Sequence, residues 1–450
     1  MQPHKAYLKG LIKKRRANKM QLMYKVCDPL HGYIYFDEDE QKVIEHPYFQ
    51  RLRFIQQLGF VQYAYPGAVS NRFLHSLGVC HLAGRAFDSI FSNSKAKLPL
   101  SDGKKKQFRK VLKLAALLHD IGHGPLSHTT EFLMPSLKKL NLKKFLEKDR
   151  PARHEDYTLK FIMDSELRQI IQSTGLEPLW LARLLHPNLT GAEDFFREGD
   201  LDFLPILRQI ISSDLDVDRM DYIHRDSYYC GVNYGRVDSN WLLTHFTFHQ
   251  VEDKIYLALN REALWTAESF LLGRHHMHLT VYFHHKPVVY EKMLFNYREY
   301  EKEPWTLPCE VEPFSRFIDS SLFEKLKSSE GNEWAARILN KKPYHRVYEI
   351  SYFSPDSNRM TDEEEQIKVF EKEFSAEGAP FISANSSDHS LQPILGRVQK
   401  DRVFVKGWRP DKGKTLFEEQ AIFKLQNRQI HRIYVDPDYK ELAQRIIQTL

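Results

Sequence analysis

The stretch LKLAALLHDIGHGPLSHTTEF, residues 112–132, constrains this chain more than any other. An apolar helical run closes on adjacent His119 and Asp120, and Gly-His-Gly-Pro then stops the helix. Val111, Leu114, Ala115, Leu117 and Leu118 form an apolar stripe of helical period, so this helix must bury a face. The pair is thereby delivered to the end of a buried helix. A neutral imidazole beside a carboxylate suits a divalent ion of the Mn, Fe, Zn or Mg type, provided that further ligands converge from elsewhere. His75, in NRFLHSLG, and Asp218, in SSDLDVDRMDY, supply those residue types. Alone, a His-Asp pair is usually a surface pair or a helix cap, and a single histidine a satisfied interior residue. The ordered set is much rarer: His, then His-Asp about 45 residues on, then Asp about 100 residues later. It points to a catalytic metal centre with a coordination position left for water.

The rest of the chain fits a soluble globular protein better than a membrane or nucleic-acid protein. No run of 18 or more apolar residues exists, so no membrane-spanning helix is expected. The basic segment 1–25 carries eight Lys and Arg and no acid, and it lacks the apolar centre of a signal peptide. Cys27, Cys80, Cys230 and Cys309 are scattered and form no CxxC pair, which argues against a disulfide framework and for a cytoplasmic location. The net charge of +6 suits polyphosphate ligands and is weaker than that of a dedicated DNA-binding domain, so nucleic acid is not the expected partner.

Helical periodicity fills residues 26–310, with a second stripe beginning at Leu181, Leu184 and Leu185. Residues 92–107 read as an exposed loop, and 244–259 as a hairpin turning at Glu252-Asp253-Lys254. Beyond 310 the texture changes. HRVYEISYF (345–353), DRVFVKGW (401–408) and HRIYVD (431–436) read as strands, DEEEQ (362–366) as a solvated helix start, and YKELAQRIIQTL as a closing amphipathic helix. The expected fold is mainly α: a helical catalytic core over 26–310, then a smaller C-terminal α+β domain over 311–450.

The H…HD…D order of His75, His119, Asp120 and Asp218 resembles that of the HD superfamily. KVCDPLHGYIYF, HPYFQRLRFIQQLGF, YPGAVSNRFLHSLGV, DVDRMDYIHRDSYYCGV and RHHMHLTVYFHH are similar to segments of its deoxynucleoside triphosphate triphosphohydrolases. The resemblance covers about 25–300 well and the C-terminal third loosely. It implies phosphate contacts for Arg72, Arg219 and Arg274, contacts near the sugar and base for Gln57 and Leu58, and sugar contacts for Tyr222, Asp226, His278 and Tyr282. His123, His128 and His154 become acid–base candidates, because histidine titrates in the range needed to protonate a departing 5′ oxygen. Glu131 follows His128 by three residues and is placed to orient it, where the family usually has Asp. Glu45, Gln50 and Arg53 match a regulatory site that reads guanine, again with Glu for the usual Asp. The resemblance therefore implies a dNTP substrate, a GTP or dNTP activator and a homo-oligomer, dimer or tetramer.

The expected reaction is hydrolysis of a dNTP to a deoxynucleoside and inorganic triphosphate. An HD-type monophosphatase or phosphodiesterase is the alternative, with fewer cations or a second metal. A nucleotide sensor or nucleic-acid-binding module that keeps the pocket is the non-enzymatic reading.

Overall fold

The computed structural model describes residues 24–92, 98–142, 150–301, 305–353, 362–388, 403–406, 414–419 and 428–449. The basic N-terminal segment up to residue 23 lies outside them. The architecture is mainly α, with a smaller sheet-containing C-terminal region.

The helix Arg72–Ser92 opens on Asn71, whose side chain accepts the Leu74 N–H at 3.0 Å. It packs along the helix Asp102–Leu118, while Val217–Cys230 crosses its other side. Val79, Ala83, Leu114, Ala115, Leu118, Met220 and Ile223 meet there in a continuous core from which water is excluded. The crossing is close because Gly78 has no side chain: a Cβ there would collide with Asp221 and Arg225. Residues 102–107, expected in a loop, are helical. Ser101 caps that helix by accepting the Lys104 N–H at 3.3 Å, and the lysine run that looked like a loop is its solvated first turns.

The hairpin Phe246–Val251 with Lys254–Asn260 turns through Glu252 and Asp253 as expected, with Glu252 in the left-handed region at φ 55°. Phe404–Lys406 then adds parallel to Lys254–Asn260, so the C-terminal chain returns to the helical core. Phe314 also joins that core and stacks on Tyr157 with ring centroids 4.0 Å apart.

The C-terminal sheet places Arg428–Val435 between His345–Phe353 and Phe381–Asp388, all antiparallel. Strand alternation sorts its faces. Ile433 and Val435 pack with Phe370 and Phe374 of the helix Asp362–Ala376 and with Ala443 of Lys440–Thr449. Tyr434, Ile382 and Ala384 pack instead with Met293 and Leu294 of the helix His285–Glu299. The Tyr434 hydroxyl donates to the His285 carbonyl at 3.0 Å and fastens the sheet to that helix. The last expected strand runs longer than its pattern, over 428–435, and of 401–408 the described residues show Phe404–Lys406 as strand. Phe381–Asp388 was not expected, since its serine-rich second half carries no strand pattern. No helix among the described residues is long and apolar enough to cross a membrane.

Candidate metal centre and active site

The four expected ligands converge. His75 comes from the first turn of Arg72–Ser92, His119 and Asp120 from the end of Asp102–Leu118, and Asp218 from the start of Val217–Cys230. His75 Nε2 lies 3.0 Å from Asp218 Oδ1 and 3.4 Å from Asp120 Oδ2. His119 Nε2 lies 3.4 Å from Asp120 Oδ1 and 3.5 Å from Asp218 Oδ1. Ligand atoms about 2.1 Å from one ion are separated by roughly 3.0–3.4 Å, so these spacings match the edges of a coordination polyhedron. Both Nε2 atoms are buried with no hydrogen-bond partner. An unsatisfied buried polar atom costs about 1–3 kcal/mol, and two facing the same carboxylates fit a divalent ion.

The opposite ring nitrogens are committed, which aims the Nε2 lone pairs. His119 Nδ1 is 2.8 Å from the Ala116 carbonyl. His75 Nδ1 is 2.8 Å from Asp221 Oδ2. Asp221 is fully buried; it also receives Arg225 through Nε at 2.8 Å and Nη2 at 2.9 Å, and lies 2.7 Å from His31 Nε2. Arg225 in turn reaches Asp28 at 2.9 Å. The N-terminal hairpin Tyr24–Asp28 with Gly32–Phe36 therefore belongs to the support of the metal centre.

The loop after Asp120 is held under strain. Leu126 and Ser127 both have positive φ, 53° and 57°, at a cost of about 1–2 kcal/mol each. Asp319 accepts the N–H groups of Leu126 at 2.7 Å and Gln56 at 2.9 Å, and burial pushes its carboxyl up to about 6. Arg72 donates to Asp120 at 2.5 Å and to the Ser127 hydroxyl at 2.9 Å, while buried Arg51 donates to the carbonyls of Ile121 and His123. Gly122 must be glycine, because a Cβ would strike the backbone of His154 and Thr158.

This loop brings the three acid–base candidates together. His123 stacks on His154 at 3.9 Å between ring centroids, and His128 meets both edge-on at 4.8 and 5.0 Å. One oxygen of Glu131 contacts Nδ1 of His154 and, at 3.2 Å, Nδ1 of His128. Burial alone would raise the Glu131 carboxyl, but these two imidazoles hold it well below the usual carboxylate range. Burial disfavours the His154 cation, and Glu131 more than offsets this, so His154 is raised. His123 is pushed down by burial, with Arg72 and His154 adding to the effect, and its Nε2 lies 3.3 Å from Asp120 Oδ1. His123, His128, Glu131 and His154 also lie close enough to share an ion, but Glu131 already serves two of the rings.

A cleft of about 700 Å³ runs from Asp120 and Asp218 past these histidines. Gln57, Leu58, Arg72, Tyr222, Asp226, His278 and Tyr282 all line it. The Tyr282 hydroxyl donates to Asp226 at 2.9 Å, and burial pushes Asp226 up to about 7 despite that bond. Residues 278–282 form a π-helical turn, a local widening of the helix common at functional sites, and Tyr282 at its end faces Asp226. Arg219 and Arg274 are not brought to the cleft wall. Arg219 is folded back on Asp216 and the Ser213 carbonyl, and Arg274 Nε is buried without a partner. Of the regulatory set, Arg53 Nε donates to Gln50 at 2.7 Å and its guanidinium covers Phe73, while Glu45 receives Gln41. Sequence reasoning missed the far end of the cleft: Glu291, Lys292 and Asn385–Ser387. Only the helix period of 285–299 hinted at the first two, and nothing marked the third.

The HD domain profile matches residues 72–226, and an HD associated region matches 237–379. An uncharacterised protein of Mycoplasma pneumoniae is 32% identical over 265 residues, 58% of this chain and 56% of that protein. The deoxynucleoside triphosphate triphosphohydrolase of Bos taurus is 27% identical over 359 residues, 73% of this chain and 59% of that enzyme. The chain thus spans somewhat over half the length of these curated relatives. A crystal structure of a hypothetical protein from Aquifex aeolicus superposes with a TM-score of 0.70 at 26% identity, covering 95% of this chain and all of that one. All four ligands fall within or at the edge of helices inside the HD match, and on this evidence residues 72–226 form an HD domain.

Proposed function

We propose that this protein is a metal-dependent deoxynucleoside triphosphate triphosphohydrolase, cleaving a dNTP to a deoxynucleoside and inorganic triphosphate. One observation carries the reading: the two unpartnered Nε2 atoms and two carboxylates sit at one end of a nucleotide-sized cleft, with the Tyr282–Asp226 pair further along it. The similarity to a deoxynucleoside triphosphate triphosphohydrolase supports the choice of substrate.

His75, His119, Asp120 and Asp218 would hold the ion, whose chemistry is to acidify a bound water and neutralise phosphate charge. The protein's own residues do the rest. Arg72 lines the cleft with its guanidinium anchored on Asp120, placing a fixed positive charge beside the α-phosphate. His154 keeps Nδ1 on Glu131, so Nε2 is the atom that holds a proton for the departing 5′ oxygen; His128 shares the same carboxylate and is the second donor. Asp226 accepts from the 3′ hydroxyl, and the Tyr282 ring leaves a 2′ hydroxyl without room or partner. Leu58, Val61, Leu126 and Val288 give the base apolar walls.

Chromatography of a dGTP digest tests the assignment. Deoxyguanosine and triphosphate are expected as the primary products. Release of dGMP with pyrophosphate, or of dGDP with phosphate, would exclude it in favour of another HD-type phosphohydrolase.

A further inference from the structure

The ion site opens on two cavities. Asp120, Asp218 and His154, which line the main cleft, also line a second cavity of about 320 Å³, to which His119 contributes as well. Its remaining wall has a different character. The main cleft mixes aromatic and aliphatic walls with its polar groups, whereas here Arg150 and Arg153 precede the helix His154–Met163, Arg208 projects from Leu204–Ile211, and His186 follows Pro178–Leu185. Besides Asp120 and Asp218, Glu155 supplies the one carboxylate among the lining residues, against three arginines.

The wall is built rather than incidental. Asp156 is fully buried and grips Arg150 in a bidentate pair at 2.7 and 2.9 Å. The same carboxylate accepts the Arg153 N–H at 2.8 Å and lies 3.7 Å from His186 Nε2. His186 is only 6% exposed, and its Nδ1 is buried with no hydrogen-bond partner. A buried ring nitrogen without a partner leaves hydrogen-bonding capacity for a ligand, and the arginines beside it favour an anionic one.

We propose that this second cavity is an inorganic polyphosphate site, which receives the triphosphate product while the deoxynucleoside remains in the main cleft. The identity of the product rests on the triphosphohydrolase reading; the anion site does not. The two products then occupy opposite sides of the ion and leave by separate mouths. Arg153 and Arg208 carry charge toward the ligand, Arg150 and His186 are pre-oriented by Asp156, and a wall of cations without aromatic side chains favours an anion over a nucleoside.

The test is calorimetric titration of sodium tripolyphosphate into the metal-loaded full chain, with and without saturating deoxyguanosine. Deoxyguanosine should leave tripolyphosphate affinity within about twofold. Arg153→Glu, an exposed position that folding does not depend on, should weaken it about tenfold or more, and Arg208→Gln should do so to a smaller degree. One-for-one displacement of tripolyphosphate by deoxyguanosine, or affinity unchanged in both variants, overturns the proposal. If tripolyphosphate binds in the Arg153-dependent manner and no dNTP is cleaved, the anion site stands and the triphosphohydrolase reading falls.

Discussion

The two ends of the main cleft are built on opposite principles. At the ion end His75 and Asp120 are buried, His119 and Asp218 partly so, and the non-ligating nitrogen of each histidine is tied down by Asp221 or by the Ala116 carbonyl. At the far end Glu291, Lys292 and Asn385 are accessible to water inside the cleft and come from two separate segments. Glu291 keeps only the Thr129 hydroxyl, at 3.2 Å, and the protein that rings it pushes its carboxyl up to about 7. Rigid, desolvated geometry suits chemistry that must be the same for every substrate. Side chains with spare hydrogen-bonding capacity suit the choice among substrates.

Mutations should expose that difference. His119→Ala or Asp218→Ala removes a ligand outright and should lower turnover by about 10³-fold or more, with a matching fall in bound metal by elemental analysis. Wild-type activity in either variant, assayed after chelation and reloading, would count decisively against the metal centre. Asp221→Asn touches no substrate but loosens His75. Metal affinity should fall by about 10–100-fold while the KM of the loaded enzyme stays put. Equal affinity would reduce the Asp221 network to a structural role.

Glu291→Gln should leave metal content and kcat for the best substrate nearly intact, yet shift the ratio of kcat/KM between purine dNTPs by about tenfold. One mismatched hydrogen bond to a base that closes the cleft over it is worth roughly 1–3 kcal/mol. An unchanged ratio would mean that the far end does not read the base. The smallest effect is expected at the surface pair. Arg53→Ala should raise the concentration of nucleotide activator needed for half-maximal rate several-fold without altering metal content. A wild type that shows no activation by any nucleotide removes the regulatory reading altogether.

Much of the ion end was legible in the residues, and the reason is local. His119 and Asp120 are adjacent and terminate an apolar helix, and Asp218, Tyr222 and Asp226 repeat at four-residue intervals on another. Such spacings survive folding because a helix preserves them. The supports were less visible: Asp28, His31 and Asp221 meet across 190 residues or more, and Asp319 reaches back to the strained Leu126 from the far side of the core. Arg219 was legible as a helical neighbour of Asp218, but its direction was not. It turns to Asp216, a buried carboxylate three residues before it.

By itself the sequence determined the helical core, the order of the ligands and the amphipathic faces that bring them to helix ends, because those follow from periodicity and short spacing. Tertiary structure alone decided what the ion faces. The strand Phe381–Asp388 sits beside the cleft because its apolar face docks on the helix His285–Glu299, and Arg150, His186 and Arg208 share a second cavity because three helix ends happen to converge there. No periodicity encodes such meetings: they arise from packing between segments far apart in the chain, where burial of apolar area, and not local propensity, sets the partners.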